Sequence, residues 1–217
     1  MSKQNNKGGA TAPQGKSKYA GVSAARAQRP ANYFKPGGHF LVRLSKIEEG
    51  EDRFKTALVA AVGNVIHAFP DNAPTSNKVG EEVSEVIKRS NVAYEGRLKA
   101  LAMAVGDLTE TDFEEQAYDG EIFDEMVGED QPAAGVVVEV RTVHVLKQAA
   151  ATKAADKLEA KDFYTRVDFL RRLLFAEVKE TLSMAGLDER TINARVPDID
   201  AEIEQESKSE DDPRNEQ

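Results

Sequence analysis

Cationic and aromatic side chains alternate with apolar ones in several β-like segments of this chain. In one segment, for example, the alternation places Phe40, Val42 and Leu44 on the core face. It leaves the alternate positions facing outward, namely His39, Leu41 and Arg43. Lys and Arg neutralise phosphates, and exposed aromatic rings stack on nucleic-acid bases. These residue types in this pattern predict contacts with a nucleic-acid strand.

The residues expected to contact the strand fall into two groups. Tyr164 and Phe54 are predicted to stack on bases, and Tyr33 and Phe34 are further candidates for that role. Each aromatic could instead belong to the core, each cation could be an ordinary solvated charge, and a single bulge would reverse the facing of every residue beyond it. The cations predicted to contact phosphates are Arg43, Arg53, Lys55, Lys88, Arg89, Arg141, Lys147 and Arg166.

The patterns of common catalytic sites are missing from the sequence. There is no Cys, and the three His residues lie far apart without metal-ligand spacing. No Gly-x-x-x-x-Gly-Lys phosphate loop is present. Carboxylates within 107–119 could suggest a divalent-metal nuclease, but no flanking Lys or His completes a hydrolytic site. We therefore predict a protein that is not an enzyme and that uses no cofactor or metal.

Charge is strongly segregated along the chain, although the net charge is −9. Residues 1–47 contain nine Lys or Arg and no acid, whereas 100–140 contain twelve acids and no Lys or Arg. The last segment, 198–217, has nine acids against two basic residues. This distribution is typical of a polyanion-binding protein whose acidic tail could compete with the strand or recruit basic partner proteins. The alternative is that the charged tails only keep the protein soluble.

The periodicity predicts the elements that must position these side chains. Strand patterns occur after Pro36-Gly37-Gly38, in 54–69 and in 81–90, and they are followed by a helical pattern in 91–106. One or two short acidic helices are expected in 107–130. Two further strands follow, and the second, in 163–169, is expected to turn Phe163, Val167 and Phe169 inward and Tyr164 and Arg166 outward. They precede a last helix whose stripe is Leu170, Leu174, Val178 and Leu182. This order predicts an α+β, mainly β fold, namely a five-stranded OB-like barrel with an interposed helix region and a C-terminal helix.

A run rich in Ala and Lys, 147–161, joins the last two predicted strands. In an OB barrel the loops between strands 1 and 2 and between strands 4 and 5 grip oligonucleotides. The run is therefore predicted to be a flexible loop that touches the strand through its lysines. A solvated, partly helical excursion is the alternative.

Three segments with different roles are predicted. Residues 1–30 are expected to be a disordered basic arm, 31–190 an OB-fold nucleic-acid-binding domain, and 191–217 a flexible acidic tail. No apolar run approaches the roughly 20 residues of a membrane span, and no secretion signal is recognisable. We expect a cytoplasmic protein without a membrane partner.

Several stretches resemble the OB-fold single-stranded DNA-binding proteins encoded by bacteriophages. "YFKPGGHFLVRLSKI" (33–47) is similar to the family's opening turn and first strand, and "KVGEEVSEVIK" (78–88) resembles its Val-Gly-x-x-Val strand. "RLKALAMAVGDL" (97–108) is similar to its mid-domain helix. "GVVVEVRTVHVLKQ…KDFYTRVDF" (135–169) resembles its closing strand pair around a basic loop. Two features depart from the family, because the chain has no Trp and its tail ends "DDPRNEQ" without an aromatic residue.

The resemblance implies binding of single-stranded DNA in phage replication and recombination, in the cytoplasm of the host cell. It also implies replication or recombination proteins as partners of the acidic tail, and it indicates no particular oligomeric state. Two other classes stay open. One is a non-enzymatic structural or adaptor protein that uses its charged tails for protein contacts, and the other is a nuclease or recombination accessory enzyme.

Overall fold

The computed structural model describes residues 33–91, 93–106 and 134–210, apart from the side chains of the last two. The chain divides into two units, 1–30 and 31–217, and every described residue belongs to the second. The predicted basic arm, the predicted acidic helices of 107–130 and the last seven residues lie outside the described residues.

Five antiparallel strands form one open sheet in the spatial order β3-β2-β1-β4-β5. β-branched residues and alternating apolar residues favour an extended backbone in these segments, and the sequence pattern predicted strands there. The α+β, mainly β class is therefore confirmed. The strands are β1 (Gly38–Glu51), β2 (Ala57–Ala68), β3 (Glu82–Lys88), β4 (Val137–Leu146) and β5 (Phe163–Leu173).

Four α-helices accompany the sheet in the described ranges. They are α1 (Tyr94–Gly106), α2 (Phe175–Met184), α3 (Glu189–Arg195) and α4 (Ile199–Glu210). The last predicted helix was expected to begin at Leu170, but β5 continues to Leu173, which pairs with Val137 of β4. Backbone pairing along β4 overrides the helical spacing of the leucines, and Leu170 is left exposed.

One face of the sheet packs with α1 into the first core. Phe40, Val42 and Leu44 of β1 are buried there, as their alternation predicted, together with Leu101 of α1. Gly63 of β2 allows the two strands to approach closely, since a Cβ at this position would lie 2.5 Å from the carbonyl oxygen of Arg43. Two shifts in the β1–β2 register occur in this part of the sheet, and bulges of this kind bend strands.

The opposite face of the sheet carries a second core beneath the C-terminal helices. Leu41, which the alternation placed outward, is completely buried here with Val178 and Leu182 of α2. The outward assignment of Leu41 was wrong because strand alternation gives the face of a side chain but cannot tell whether another layer covers that face. Each face of the sheet therefore carries an apolar core.

The C-terminal segment is folded well beyond residue 190. Ile192, Val196 and Ile199 are buried in the second core, and Ile203 packs against it. The predicted flexible tail of 191–217 is therefore corrected for 191–210. Among its acidic residues, this segment carries apolar residues at intervals of three and four, which give the short helices α3 and α4 their buried faces. Within the described ranges, no helix combines the length and apolar composition that crossing a membrane requires.

Candidate nucleic-acid interface

The turn between β1 and β2 is organised by the carboxylate of Asp52. Its Oδ1 accepts the backbone N–H of Phe54 at 2.8 Å and of Thr56 at 3.1 Å. These two bonds, with that of Thr56 first, hold the pKa of Asp52 below its ordinary value, and Lys88 adds to the effect at 3.2 Å. The carboxylate therefore stays ionised, and the turn has one defined shape.

The turn presents an aromatic ring and several cations to solvent. Phe54 is 72% exposed, and the guanidinium of Arg53 lies 4.6 Å from its ring centroid. Lys55 has a left-handed backbone with a φ of 59°. The sequence placed Phe54 and Lys55 in the second strand, but β2 begins only at Ala57, because β1 continues to Glu51 and displaces the turn. We call residues 52–56 the Phe54 turn.

The end of β3 lies against the Phe54 turn. Lys88 forms its ion pair with Asp52, and the backbone N–H of Arg89 donates to the carbonyl of Ala57 at 2.9 Å. The fold thus brings five predicted residues to one end of the sheet. They are Arg53, Phe54, Lys55, Lys88 and Arg89.

A groove of about 620 Å³ runs between the first turns of α1 and strand β5. Tyr164 lines it and is 46% exposed, which leaves about half of its ring free. Arg166 and Lys147 also line it, so three predicted residues meet here. We call this cavity the β5–α1 groove.

Three polar residues of the groove were not predicted to bind nucleic acid. Asn91 and Gln148 supply amide groups, and Arg97 supplies a guanidinium from α1. Arg97 lies three residues after Tyr94 and four before Leu101, so it borders the apolar face of α1, which is a signal that could have identified it. Asn91 and Gln148 lie in loops, and they line the groove only because α1 packs beside β5. The sequence gives no local signal for this.

Carboxylates neutralise part of the charge in the groove. Arg166 pairs with Asp168 at 2.9 Å, and Arg97 pairs with Glu85. Burial lowers the pKa of Arg97, but a guanidinium keeps its charge at neutral pH. Lys147 donates instead to the carbonyl of Lys161 at 2.7 Å, which leaves its positive charge uncompensated by that bond.

Arg141 extends the positive surface along β4. It is exposed and stands opposite Asp168 in the β4–β5 register, two positions from the pair formed by Val143 and Arg166. Because alternate positions share a face, Arg141 lies on the same face as Arg166 and Tyr164.

The basic loop between β4 and β5 was predicted to be flexible, but it is held by hydrogen bonds and is partly helical, as in the alternative interpretation. Asp162 is buried, and its carboxylate accepts Lys153 Nζ at 2.6 Å and the N–H of Glu159 at 2.9 Å. The bond from Lys153 is the main cause that lowers the pKa of Asp162. The backbone N–H of Lys147 donates to the carbonyl of Asp162 at 2.8 Å, which closes the base of the loop. The loop contains three short 3-10 turns, Gln148–Ala150, Ala155–Lys157 and Ala160–Asp162.

The Phe54 turn and the β5–α1 groove are neighbours along the chain. Lys88, which pairs with the turn, accepts through its carbonyl the N–H of Asn91, which lines the groove, at 2.9 Å. Among the ten predicted contacts, five cations form no ion pair with a carboxylate in the part of the chain that the structure describes. They are Arg53, Lys55, Arg89, Arg141 and Lys147.

Three predicted residues do not join this surface. Arg43 is turned toward the C-terminal helices, where its Nη2 lies 3.3 Å from Glu202 Oε1. Phe34 is buried in the first core, so its role as a stacking residue is wrong. Tyr33 is exposed but lies at the free edge of β3, where it forms an isolated bridge with Ser84.

Among residues 33–91, 93–106 and 134–210, no three His, Asp or Glu side chains come together in a way that could hold a metal ion. No protein-family model matches the chain, and a search of the curated proteins returns no match.

Proposed function

We propose that this protein binds single-stranded DNA without sequence preference, through the Phe54 turn and the β5–α1 groove. The observation that carries the proposal is the pairing of two exposed aromatic rings with cations. Phe54 lies beside Arg53, and Tyr164 lies in a groove with Lys147 and Arg166. Rings with one free face and adjacent cations match a strand whose bases are unstacked and whose phosphates are continuous.

Electrostatic attraction supplies the first part of the mechanism. Five cations of the surface have no carboxylate partner among the described residues, so a phosphate can bind each of them without breaking an ion pair in that part of the chain. Their binding releases counterions from the strand and makes the affinity fall steeply with salt. Although the net charge is −9, twelve acids lie in 100–140 and nine in 198–217, which are not the segments that form the surface.

Stacking supplies the preference for single strands. A base within a duplex is already stacked on its neighbours, whereas a base in a single strand can turn toward an exposed ring. The groove volume of about 620 Å³ lies in the range of small-ligand pockets and has room for a nucleotide. The amides of Asn91 and Gln148 can donate to, or accept from, any base edge.

The sheet order supports an OB-like barrel as the finer description of the fold. The order β3-β2-β1-β4-β5 leaves β3 and β5 at the two edges, and α1 contacts both of them. In an OB barrel, loops 1–2 and 4–5 bind oligonucleotides. The Phe54 turn is loop 1–2 of this chain, and Lys147 begins loop 4–5.

The role of the acidic tail is a further part of the proposal. Glu202 and Glu206 of α4 pair with Arg43 and Arg172, away from the groove. Competition with DNA, or recruitment of replication and recombination proteins in an infected cell, therefore falls to the residues beyond Glu210. That segment carries three acids and one Arg.

Fluorescence anisotropy with a labelled poly-dT oligonucleotide tests the proposal, beside the matching duplex and across a series of salt concentrations. We expect tight single-strand binding, weak duplex binding and a slope of log K against log salt of about −3.5, from about −0.7 for each of five phosphates. Lys147→Ala should reduce the slope by about 0.7. Arg190→Ala is the matched control, since Arg190 is exposed on α3, outside the surface.

Absence of binding to any nucleic acid at low salt would refute the proposal. A non-enzymatic adaptor that uses its charged segments for protein contacts would then be the better explanation. Equal affinity for single strands and duplex would refute the stacking mechanism and leave only electrostatic attraction.

A further inference from the structure

A second cavity, of about 520 Å³, lies on the other face of the sheet, where the connection between α3 and α4 crosses β1 and β2. It shares none of its described lining residues with the β5–α1 groove. Arg43 and Arg195 line it, and nothing in the proposed DNA-binding mechanism uses them there. We call it the Arg43–Arg195 pocket.

Both guanidinium groups are held in place by oxygens of the protein. Arg43 donates from Nε to the carbonyl of Gly135 and from Nη2 to Glu202, both at 3.3 Å. Arg195 donates from Nη1 to the carbonyl of Ile66 at 3.1 Å. Each guanidinium has five N–H donors, so these bonds fix the two groups and leave donors for a ligand.

The remaining lining is neutral. Among the described residues that line the pocket, none is acidic. Glu202 forms an ion pair with Arg43 but does not line the pocket itself. The polar side chains are Ser45 and Asn64, both exposed, and the apolar ones include Val79. The lining of this cavity is thus partly polar and partly apolar.

The backbone around the pocket is shaped to be concave. The β1–β2 register shifts between Leu44 and Lys46, so Ser45 lies at a bulge. Gly80 and Gly135 have φ values of 86° and 95°, which L side chains rarely adopt. Bulges and residues with positive φ change the direction of the backbone, and here they line the same pocket as the two guanidinium groups.

We propose that the Arg43–Arg195 pocket binds the phosphate monoester group of a small molecule about the size of a nucleoside monophosphate. Two guanidinium groups suit a doubly charged phosphate, because each can donate two parallel hydrogen bonds. A volume of about 520 Å³ is within the range of small-molecule sites. The terminal phosphate of an oligonucleotide has the same chemistry and is the second possible source.

Isothermal titration of the full chain with adenosine monophosphate tests the proposal, with inorganic phosphate and adenosine as comparison probes. We expect adenosine monophosphate and inorganic phosphate to bind. Adenosine should bind at least about tenfold more weakly than the monophosphate, since the loss of one charge-assisted contact lowers the affinity by about a factor of ten. Arg195→Gln should weaken monophosphate binding by about tenfold. Arg190→Gln, an exposed Arg on the same helix, should leave it unchanged.

Asn64→Asp provides a variant that does not touch the core, because Asn64 is exposed at the edge of the pocket. A carboxylate there should repel the phosphate and weaken binding by at least about tenfold even if Arg195→Gln fails to fold. No binding by the wild type, or equal binding by the wild type and Asn64→Asp, would overturn the proposal.

Competition by oligonucleotides with and without a 5′-phosphate separates the two sources. Displacement of the monophosphate only by the 5′-phosphorylated strand would assign the pocket to a DNA end, and displacement by neither strand would assign it to a free small molecule. Both results keep the phosphate-monoester site. Equal displacement by both strands would overturn it, because a phosphodiester would then suffice.

Discussion

Tyr164→Ala should weaken single-strand binding without unfolding the protein. The ring is 46% exposed in the β5–α1 groove, so one face is free to stack on a base. Loss of one base–aromatic stack costs about 1–3 kcal/mol. At about 1.4 kcal/mol for each factor of ten, the expected loss of affinity is about 5- to 140-fold.

The cost of this substitution to stability should be small by comparison. Complete burial of a large side chain contributes about 1.5–3 kcal/mol, and Tyr164 is only about half buried. Tyr164→Ala should therefore lower the free energy of unfolding by about 1 kcal/mol. Urea denaturation measures this change separately from binding.

Anisotropy with poly-dT measures the affinity, and the salt series gives the slope of log K against log salt, which reports the number of phosphate contacts. Tyr164→Ala should leave the salt slope unchanged, because no charge is removed. Tyr164→Phe should retain most of the affinity, because the ring remains. Leu170→Ala is a matched control, since Leu170 lies on the same strand with the same 46% exposure but does not line the groove.

Two results would contradict the role of Tyr164. If the affinity of Tyr164→Ala is within about twofold of that of the wild type, the loss is smaller than one base–aromatic stack contributes, and no base stacks on this ring. If Leu170→Ala weakens binding equally, the effect belongs to β5 as a whole and not to the groove.

Three further predictions concern the fold that carries the surface. Gly63→Ala should lower the free energy of unfolding by about 1–3 kcal/mol in urea denaturation, because its Cβ would lie 2.5 Å from a backbone oxygen of β1. Burial, followed by the charge of Arg195, lowers the pKa of His67 below its ordinary 6.5, so the unfolded chain binds the proton more readily. The contribution of His67 to the free energy of unfolding should thus be complete above pH 6.5 and decrease as the pH falls toward the lowered pKa of the folded state. His67→Gln should flatten this pH dependence, which urea denaturation at several pH values measures. Asp162→Ala should release the β4–β5 loop and make tryptic cleavage within it severalfold faster, as followed by mass spectrometry.

Controls for these predictions are available in the same chain. Gly96→Ala should raise stability by about 0.5–1 kcal/mol, since nothing lies within 4 Å of its Cβ position in α1. Asp156→Ala, at an exposed site of the same loop, should leave cleavage unchanged. Wild-type stability of Gly63→Ala, an unaltered pH dependence in His67→Gln, or equal cleavage of the two Asp variants would each contradict the corresponding prediction.

Local patterns predicted most of the sheet. Alternation in β5 placed Val167 and Phe169 inside and Tyr164 and Arg166 outside, and their burial confirms this. Such predictions succeed because a strand sends successive side chains to opposite faces. The same alternation failed for Leu41, which lies on the predicted face but under the C-terminal helices.

The C-terminal half of the chain shows where local patterns are insufficient. Leu170 fits a helical stripe, yet strand pairing extends β5 past it. Ile199 begins a segment so acidic that its composition indicated a flexible tail, yet it is completely buried. A few apolar residues at the right spacing outweigh many solvated charges, because charges on the far face of a helix need not be buried.

The sequence by itself determined the strands, the helix α1 and the set of basic and aromatic residues that could bind a strand, because these depend on short-range periodicity. The tertiary structure decided which of them share a surface and which cations pair with a carboxylate. Arg43 illustrates the reason: its partner Glu202 is 159 residues away in the chain, and only the packing of α4 on the sheet brings the two charges together.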